Sequence, residues 1–269
     1  MADIHIASGN RTVCPSVMSN YFRQYFLLSA LMYVASFYSN AQDTIVFREG
    51  LASGRAHQYG REAVYTDTLL PIIHAVGMSK PAAGQVWYEQ DAVVKRWTAV
   101  KADASGGFRD RAISNGYLYL TFQSDKAMPA LLSVTGNGAV YVNGEPRPGD
   151  PYAMGWLHLP VSLRKGLNEF YIRAGGIGWG PGMKAMLIKG IKPVSLSTQD
   201  ATVAHIVRGQ SSGSVVVGLQ CLNASANIHK GLRAVVTFEG KKLVTELPSI
   251  PAWTVRKVPV HIPVPEVIG

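Results

Sequence analysis

The stretch that most constrains the fold runs from Gly136 to Tyr152 and reads GNGAVYVNGEPRPGDPY. An apolar run there meets Asn143-Gly144, a dipeptide that favours a type I′ hairpin because both central residues of that turn need a positive φ. A second tight turn is indicated at Gly149-Asp150-Pro151. Further strand-like runs follow on both sides of a Lys-Gly turn at residues 165–166. This succession predicts an antiparallel β-sandwich and not a nucleotide-binding or α/β catalytic core.

The β pattern extends over two stretches of the chain. From Gln85 to Lys192, turn signals separate candidate strands about every ten residues, which is typical of a sandwich or jelly roll. Val93–Val100 and Trp156–Val161 are two of these candidate strands. Another is Gly116–Gln123, in which tyrosine and leucine alternate from Tyr117 onward. From Pro193 to Pro263 we predict five more strands, the first at Ala201–Val207, and a small immunoglobulin-like sandwich. Residues 264–269 resemble a linker.

The segment 42–84 is mixed in composition and is expected to pack on the first sandwich. Ile45-Val46-Phe47 predicts an edge strand, whereas Gly50–Gly60 is rich in Gly, Ser and Ala and is interpreted as a loop. Asp67–Val76 predicts a short helix, since Asp67 or Thr66 can cap its start and Pro71 limits its extent.

Residues 1–41 are typical of a targeting segment. Tyr25–Tyr38 is apolar and uncharged, follows Arg23, and leads into Ser39-Asn40-Ala41, which suits signal-peptide cleavage. The run has about 14 residues, fewer than the ~20 that span a bilayer. Met18 is a plausible true start. We predict that the protein is exported and that it contacts the membrane only during export. The alternative is that the apolar run is a buried helix or a membrane anchor.

The charge pattern argues against a nucleic-acid partner. The chain carries 26 Lys and Arg against 17 Asp and Glu, a formal net charge of +9. These basic residues are spread singly, without the interleaved aromatics of a nucleic-acid groove. The glycine cluster at residues 175–182 leads into a candidate strand and not a helix, so it offers no phosphate site. No cofactor is predicted.

No catalytic or metal-binding residue is predicted. Gly209–Gly213 matches G-x-S-x-G around Ser211, but the next residues predict a strand where a nucleophile elbow needs a helix. Cys221 lies in an apolar run and is interpreted as a small buried hydrophobe. The seven histidines lack zinc-ligand spacing. A calcium site at Asp150 or Asp125 is an alternative to a simple turn role.

Three loop aromatics and one aspartate are the candidate ligand-binding residues. Tyr152, Trp156 and Trp179 could each present a ring to the apolar side of a sugar, while packing over the sandwich rim is the alternative. Asp150 lies in the Gly-Asp-Pro turn, where its ordinary role is a hydrogen bond to its own backbone.

The same residues carry a resemblance to a known family. YVNGE at residues 141–145, GDPY at 149–152, LPV at 159–161 and LRKGLNE at 163–169 resemble a galactose-binding-like jelly-roll domain. The similarity is to the N-terminal region of exported bacterial α/β-hydrolases of the prolyl oligopeptidase family. The resemblance implies an all-β chain, a galactose-binding-like jelly roll followed by the immunoglobulin-like sandwich. It also implies a periplasmic, cell-surface or extracellular location and a serine-hydrolase domain as partner.

Three functions follow from these observations. The first is a non-catalytic accessory region of an exported serine hydrolase, because no Ser-Asp-His set can be carried over to this sequence. The second is a carbohydrate-binding module that uses the loop aromatics to bind a glycan. The third is an independent hydrolase.

Overall fold

Antiparallel pairing in the first part of the chain is organised by the hairpin that the sequence predicts. In the computed structural model, Asn143 and Gly144 have φ angles of 51° and 88°, which are the left-handed values of a type I′ turn. Val142 pairs with Glu145 across this turn. The returning strand contains two prolines and lies at the edge of its sheet. Proline has no N–H to donate, and an edge strand tolerates this because it has no neighbouring strand on its outer side.

The structure describes residues 3–7, 43–56, 67–75, 80–175, 182–204, 214–238 and 240–263. Within these ranges there is one short helix, α1 (Leu70–His74), and a 3-10 turn at Arg111–Ile113. The remaining regular structure is β. In chain order the strands are β1 (Asp3–Ala7), β2 (Thr44–Val46), β3 (Glu49–Arg55), β4 (Val86–Gln90), β5 (Val93–Arg96), β6 (Thr98–Lys101), β7 (Gly116–Ser124), β8 (Met128–Thr135), β9 (Asn137–Val142), β10 (Glu145–Pro148), β11 (His158–Leu163), β12 (Gly166–Ala174), β13 (Lys184–Ile188), β14 (Val194–Val203), β15 (Ser214–Asn223), β16 (Arg233–Phe238), β17 (Lys241–Glu246) and β18 (Thr254–Pro263).

The chain divides into two compact units, the first of which is Asp43–Lys189. It contains a six-stranded sheet in the order β10-β9-β12-β7-β3-β6 and a four-stranded sheet in the order β11-β8-β13-β2. The strand pairs within both sheets are antiparallel. The all-β sandwich class that the sequence predicts is therefore confirmed.

At the central strand β7, both faces of the six-stranded sheet are buried. Leu118 and Leu120 point into the main core with residues of the four-stranded sheet, because successive side chains of a strand point to opposite faces. Tyr117 and Tyr119 point the other way and are also buried. They belong to an outer aromatic cluster, which consists of Trp97, Tyr117, Tyr119, Tyr141 and Tyr171.

The prediction of a loop at Gly50–Gly60 is wrong for its first half, since Gly50–Arg55 belongs to β3 and lies between β7 and β6. A Cβ on Gly50 would lie 2.6 Å from Cδ2 of Leu120 and 2.8 Å from the Tyr119 carbonyl oxygen. The glycine therefore permits close packing against β7. Residues 57–60 lie outside the described ranges.

Two other strand predictions need correction. The single strand predicted at Val93–Val100 is two strands, β5 and β6, separated at Trp97. The backbone N–H of Trp97 donates to Gln85 at 2.9 Å, and its carbonyl accepts from Gly84 at 2.7 Å, so the chain is diverted from the ladder at this residue. The strand predicted to begin at Trp156 begins at His158.

The second unit contains two three-stranded sheets, β14-β15-β18 and β1-β16-β17. The five strands predicted after Pro193 are present, although the first begins at Val194 instead of Ala201. Side chains of both sheets, among them Leu219, Val236 and Val258, form a separate core. Strand β1 was not predicted. It lies within residues 1–41, which the sequence analysis interprets as a targeting segment and of which only these five residues are described.

Candidate functional site

The candidate site is the connection between β10 and β11, residues 149–157, which we call the rim loop. Three of its apolar side chains are exposed: Tyr152 at 85%, Met154 at 49% and Trp156 at 40%. No charged residue occurs between Pro151 and Leu157. A continuous exposed stretch of this kind is unusual for a surface loop, because such loops are ordinarily polar.

Asp150 holds the rim loop in one conformation. Its carboxylate accepts the backbone N–H of Met154 at 3.0 Å through one oxygen and that of Gly155 at 2.7 Å through the other. Its own carbonyl accepts the N–H of Ala153 at 3.0 Å. Asp150 is itself buried, with 7% exposure. The carboxylate thus bonds to backbone four and five residues further along the chain, and not two residues on as in an Asx turn.

The base of the rim loop is anchored to the beginning of β9. The Asp150 N–H donates to Oδ1 of Asn137 at 3.2 Å, and Asn137 is buried. A Cβ on Gly149 would collide with the backbone of Asn137 and Gly138. A glycine is therefore required where the loop leaves β10, and this explains the Gly-Asp pair that the sequence analysis singled out.

Two of the predicted ligand-binding aromatics, Tyr152 and Trp156, lie on the rim loop and are exposed. Trp179 and the G-x-S-x-G segment around Ser211 lie outside the described residues. The described strand that precedes the glycine cluster ends at Ala174, which pairs with Asn137 at the base of the rim loop.

Two other carboxylates of the first unit have protein partners. Glu145 forms an ion pair with Arg147 at 3.0 Å, and Glu169 accepts the Tyr119 hydroxyl at 2.8 Å. In the part of the chain that the structure describes, no group of three or more His, Cys, Asp or Glu side chains could hold a metal ion.

A buried polar cluster that the sequence analysis missed lies on the outer face of the six-stranded sheet. Asp67 accepts the Tyr117 hydroxyl at 2.7 Å and Nε of Arg173 at 3.2 Å through one oxygen. Its other oxygen accepts the N–H groups of Leu69 and Leu70, each at 3.1 Å. Burial, followed by the bond to Asp67, raises the pKa of Tyr117 far above its ordinary value. The partners lie 50 and 106 residues from Asp67 along the chain, so no local motif could have indicated the cluster.

Cys221 agrees with its prediction as a buried hydrophobe. It is fully buried in the core of the second unit. Burial raises the pKa of its thiol to about 11, and a thiol that stays protonated is a poor nucleophile.

No protein-family model and no curated protein matches the chain. Among solved structures, it is similar to the exo-chitosanase of Amycolatopsis orientalis, with 16% sequence identity and a TM-score of 0.34. The alignment covers 84% of this chain and 30% of the chitosanase chain. Within the described residues, no helix is both long and apolar enough to cross a membrane.

Proposed function

We propose that this chain is a non-catalytic accessory region of an exported serine hydrolase, and that the rim loop is the surface that binds the hydrolase domain. The observation that carries the proposal is the exposure of Tyr152, Met154 and Trp156 within five uncharged positions. Protein–protein interfaces are enriched in aromatic residues and Met and depleted of Lys, Glu and Asp, most strongly at their centres. The rim loop has this composition.

The constraint imposed by Asp150 supports a binding role. A loop that is already ordered loses less conformational entropy when a partner binds, so more of the contact energy remains as affinity. The two carboxylate bonds and the anchoring to Asn137 order the loop backbone before binding. Tyr152 and Trp156 are of the residue types that most often act as interface hot spots.

The class of partner and the export rest on the sequence. The YVNGE, GDPY and LRKGLNE stretches support a hydrolase of the prolyl oligopeptidase family as the partner. The uncharged run Tyr25–Tyr38 and the small residues that follow it support export to the periplasm, the cell surface or the medium.

The experiment measures the affinity of the purified full chain for a prolyl oligopeptidase-family hydrolase domain from the same organism. We expect Tyr152→Ala/Trp156→Ala to weaken binding at least about 30-fold, the effect of losing hot-spot contacts of ~2 kcal/mol. The control is Val93→Ala/Val94→Ala, which also removes two exposed apolar side chains from the first unit (51% and 45% exposed).

Two results would overturn the proposal. One is the same affinity for the rim-loop variant and the control. The other is turnover of acyl esters by the full chain that disappears in Ser211→Ala, because this would make the chain a hydrolase in its own right.

The second candidate function is carbohydrate binding by the same loop, which the 85% exposure of Tyr152 favours. A ring with a free face can stack on the apolar side of a pyranose. Calorimetric titration with oligosaccharides distinguishes the two functions. Saturable heat that is lost in Tyr152→Ala would support sugar binding, and no binding at millimolar sugar would remove it.

A further inference from the structure

The second unit has a sheet edge whose only described cover is a short segment far away in the sequence. Strand β16 pairs with β17 on one side and with β1 on the other. The β1 register joins Asp3 to Thr237 and Ala7 to Arg233. We call Arg233–Thr237 the edge segment. Without β1, its outward N–H and C=O groups would be free to pair with another strand.

We propose that the edge segment is a strand-acceptor site, that Asp3–Ala7 occupies it within the same chain, and that a second copy of the chain occupies it when β1 is absent. The β1 register supports the first part. Ile4 and Ile6 pair with Val236 and Ala234, the two fully buried residues of the edge segment. The apolar positions of β1 thus match the core-facing positions of β16.

The edge segment is complementary to itself. When two copies pair antiparallel about a two-fold axis through Val235, Ala234 of one copy lies opposite Val236 of the other. Directly opposite residues of an antiparallel pair share a face, so core-facing residues meet core-facing residues. The result is a continuous sheet across an isologous dimer.

The charges of the edge segment allow this pairing. Its one charged residue, Arg233, lies opposite the uncharged Thr237 in the self-paired register. The two copies of Arg233 are four strand positions apart, about 13 Å at the rise of an extended strand, a distance at which salt screens most of their repulsion. The segment also lacks Pro and Gly, the residues that weaken a strand.

This inference concerns a different unit from the rim loop and does not require a hydrolase partner. One step does rest on the proposed function, namely the removal of β1 during export. Cleavage near Ala41 would remove β1 together with the targeting segment. Export would then convert a shielded edge into an open one.

The experiment uses the full chain, so that it does not depend on export. Amide hydrogen exchange is measured for residues 233–237 in the unsubstituted chain and in Ile4→Pro/Ile6→Pro, which removes two donors from β1. Ser8→Pro/Asn10→Pro, with two prolines outside the strand, is the control. Light scattering after size-exclusion chromatography gives the molar mass of each. A third variant adds Val235→Lys, which places two like charges directly opposite each other in the proposed dimer.

We expect slow exchange of all five edge-segment amides in the unsubstituted chain and the control, because β17 protects one alternate set of N–H groups and β1 protects the other. Ile4→Pro/Ile6→Pro should double in molar mass as its concentration rises, and Val235→Lys should return it to the monomer. Fast exchange of one alternate set of amides within residues 233–237 of the unsubstituted chain would overturn the pairing with β1. A variant that stays monomeric, or an association that persists after Val235→Lys, would overturn pairing with a second copy.

Discussion

The role of Asp150 can be tested by a substitution that preserves its shape. Asp150→Asn replaces one carboxylate oxygen with an NH₂ group. Each of the two oxygens now accepts a different backbone N–H, those of Met154 and Gly155. The amide oxygen can keep only one of these bonds, and the other N–H then faces a second donor.

The size of the effect follows from the exposure of the two amide-bearing residues. A hydrogen bond to a charged group contributes about 1.5–3 kcal/mol. Met154 is exposed and Gly155 is half-buried, so water can reach a released N–H, and we expect the lower end of that range. Asp150→Asn should lower the free energy of unfolding of the first unit by about 1.5–2 kcal/mol, and Asp150→Ala by about 3 kcal/mol.

The assay is urea unfolding followed by circular dichroism, together with amide hydrogen exchange at residues 154 and 155. Asp125→Asn is the matched control, because Asp125 is exposed and such surface changes usually alter stability by no more than about 0.5 kcal/mol. The reasoning is refuted if Asp150→Asn is as stable as Asp125→Asn and exchange at the two amides is unchanged.

Three further predictions concern buried polar groups. Asp67→Ala removes the carboxylate that pairs with Arg173, whose side chain is 21% exposed. It should lower the free energy of unfolding in urea by about 3 kcal/mol. Asp67→Ala/Arg173→Met should lower it less than Asp67→Ala alone. Asn223→Ala should lower the free energy of unfolding by about 2–4 kcal/mol in the same assay. The reason is that the buried Asn223 amide donates to three backbone carbonyls and accepts from the Ser225 N–H and hydroxyl. An unchanged midpoint of urea unfolding would contradict this prediction. Burial raises the pKa of Tyr119 and Tyr171. Both side chains therefore stay neutral in the folded chain at a pH at which they are ionised in the unfolded chain. Stability present below about pH 10 should therefore be lost as the pH rises further. Tyrosinate absorbance that appears at that pH before unfolding and is lost in Tyr119→Phe/Tyr171→Phe would contradict the account.

Local sequence signals predicted the β architecture well. The Asn143-Gly144 turn has the expected positive φ angles, and Gly166, in the predicted Lys-Gly turn, has a φ of 93°. These features depend on a few adjacent residues, so the sequence contains the information directly. The exposed pair on the rim loop was predictable for the same reason, since Tyr152 and Trp156 follow a turn whose geometry Asp150 determines.

Features that depend on distant contacts were missed. β3 has the composition of a loop because its packing against β7 requires small residues, Gly50 above all. The Asp67 cluster joins residues far apart in the sequence. β1 pairs with residues more than 200 positions later, and no pattern within five residues specifies such a partner.

The most direct test of the rim loop as the binding surface is a hydrogen-exchange footprint of the full chain with and without the purified hydrolase domain. The account predicts that exchange slows at residues 152–157 and is unchanged in β5, whose Val93 and Val94 are also exposed. Slowing on β5 or on the second unit, with the rim loop unaffected, would contradict it.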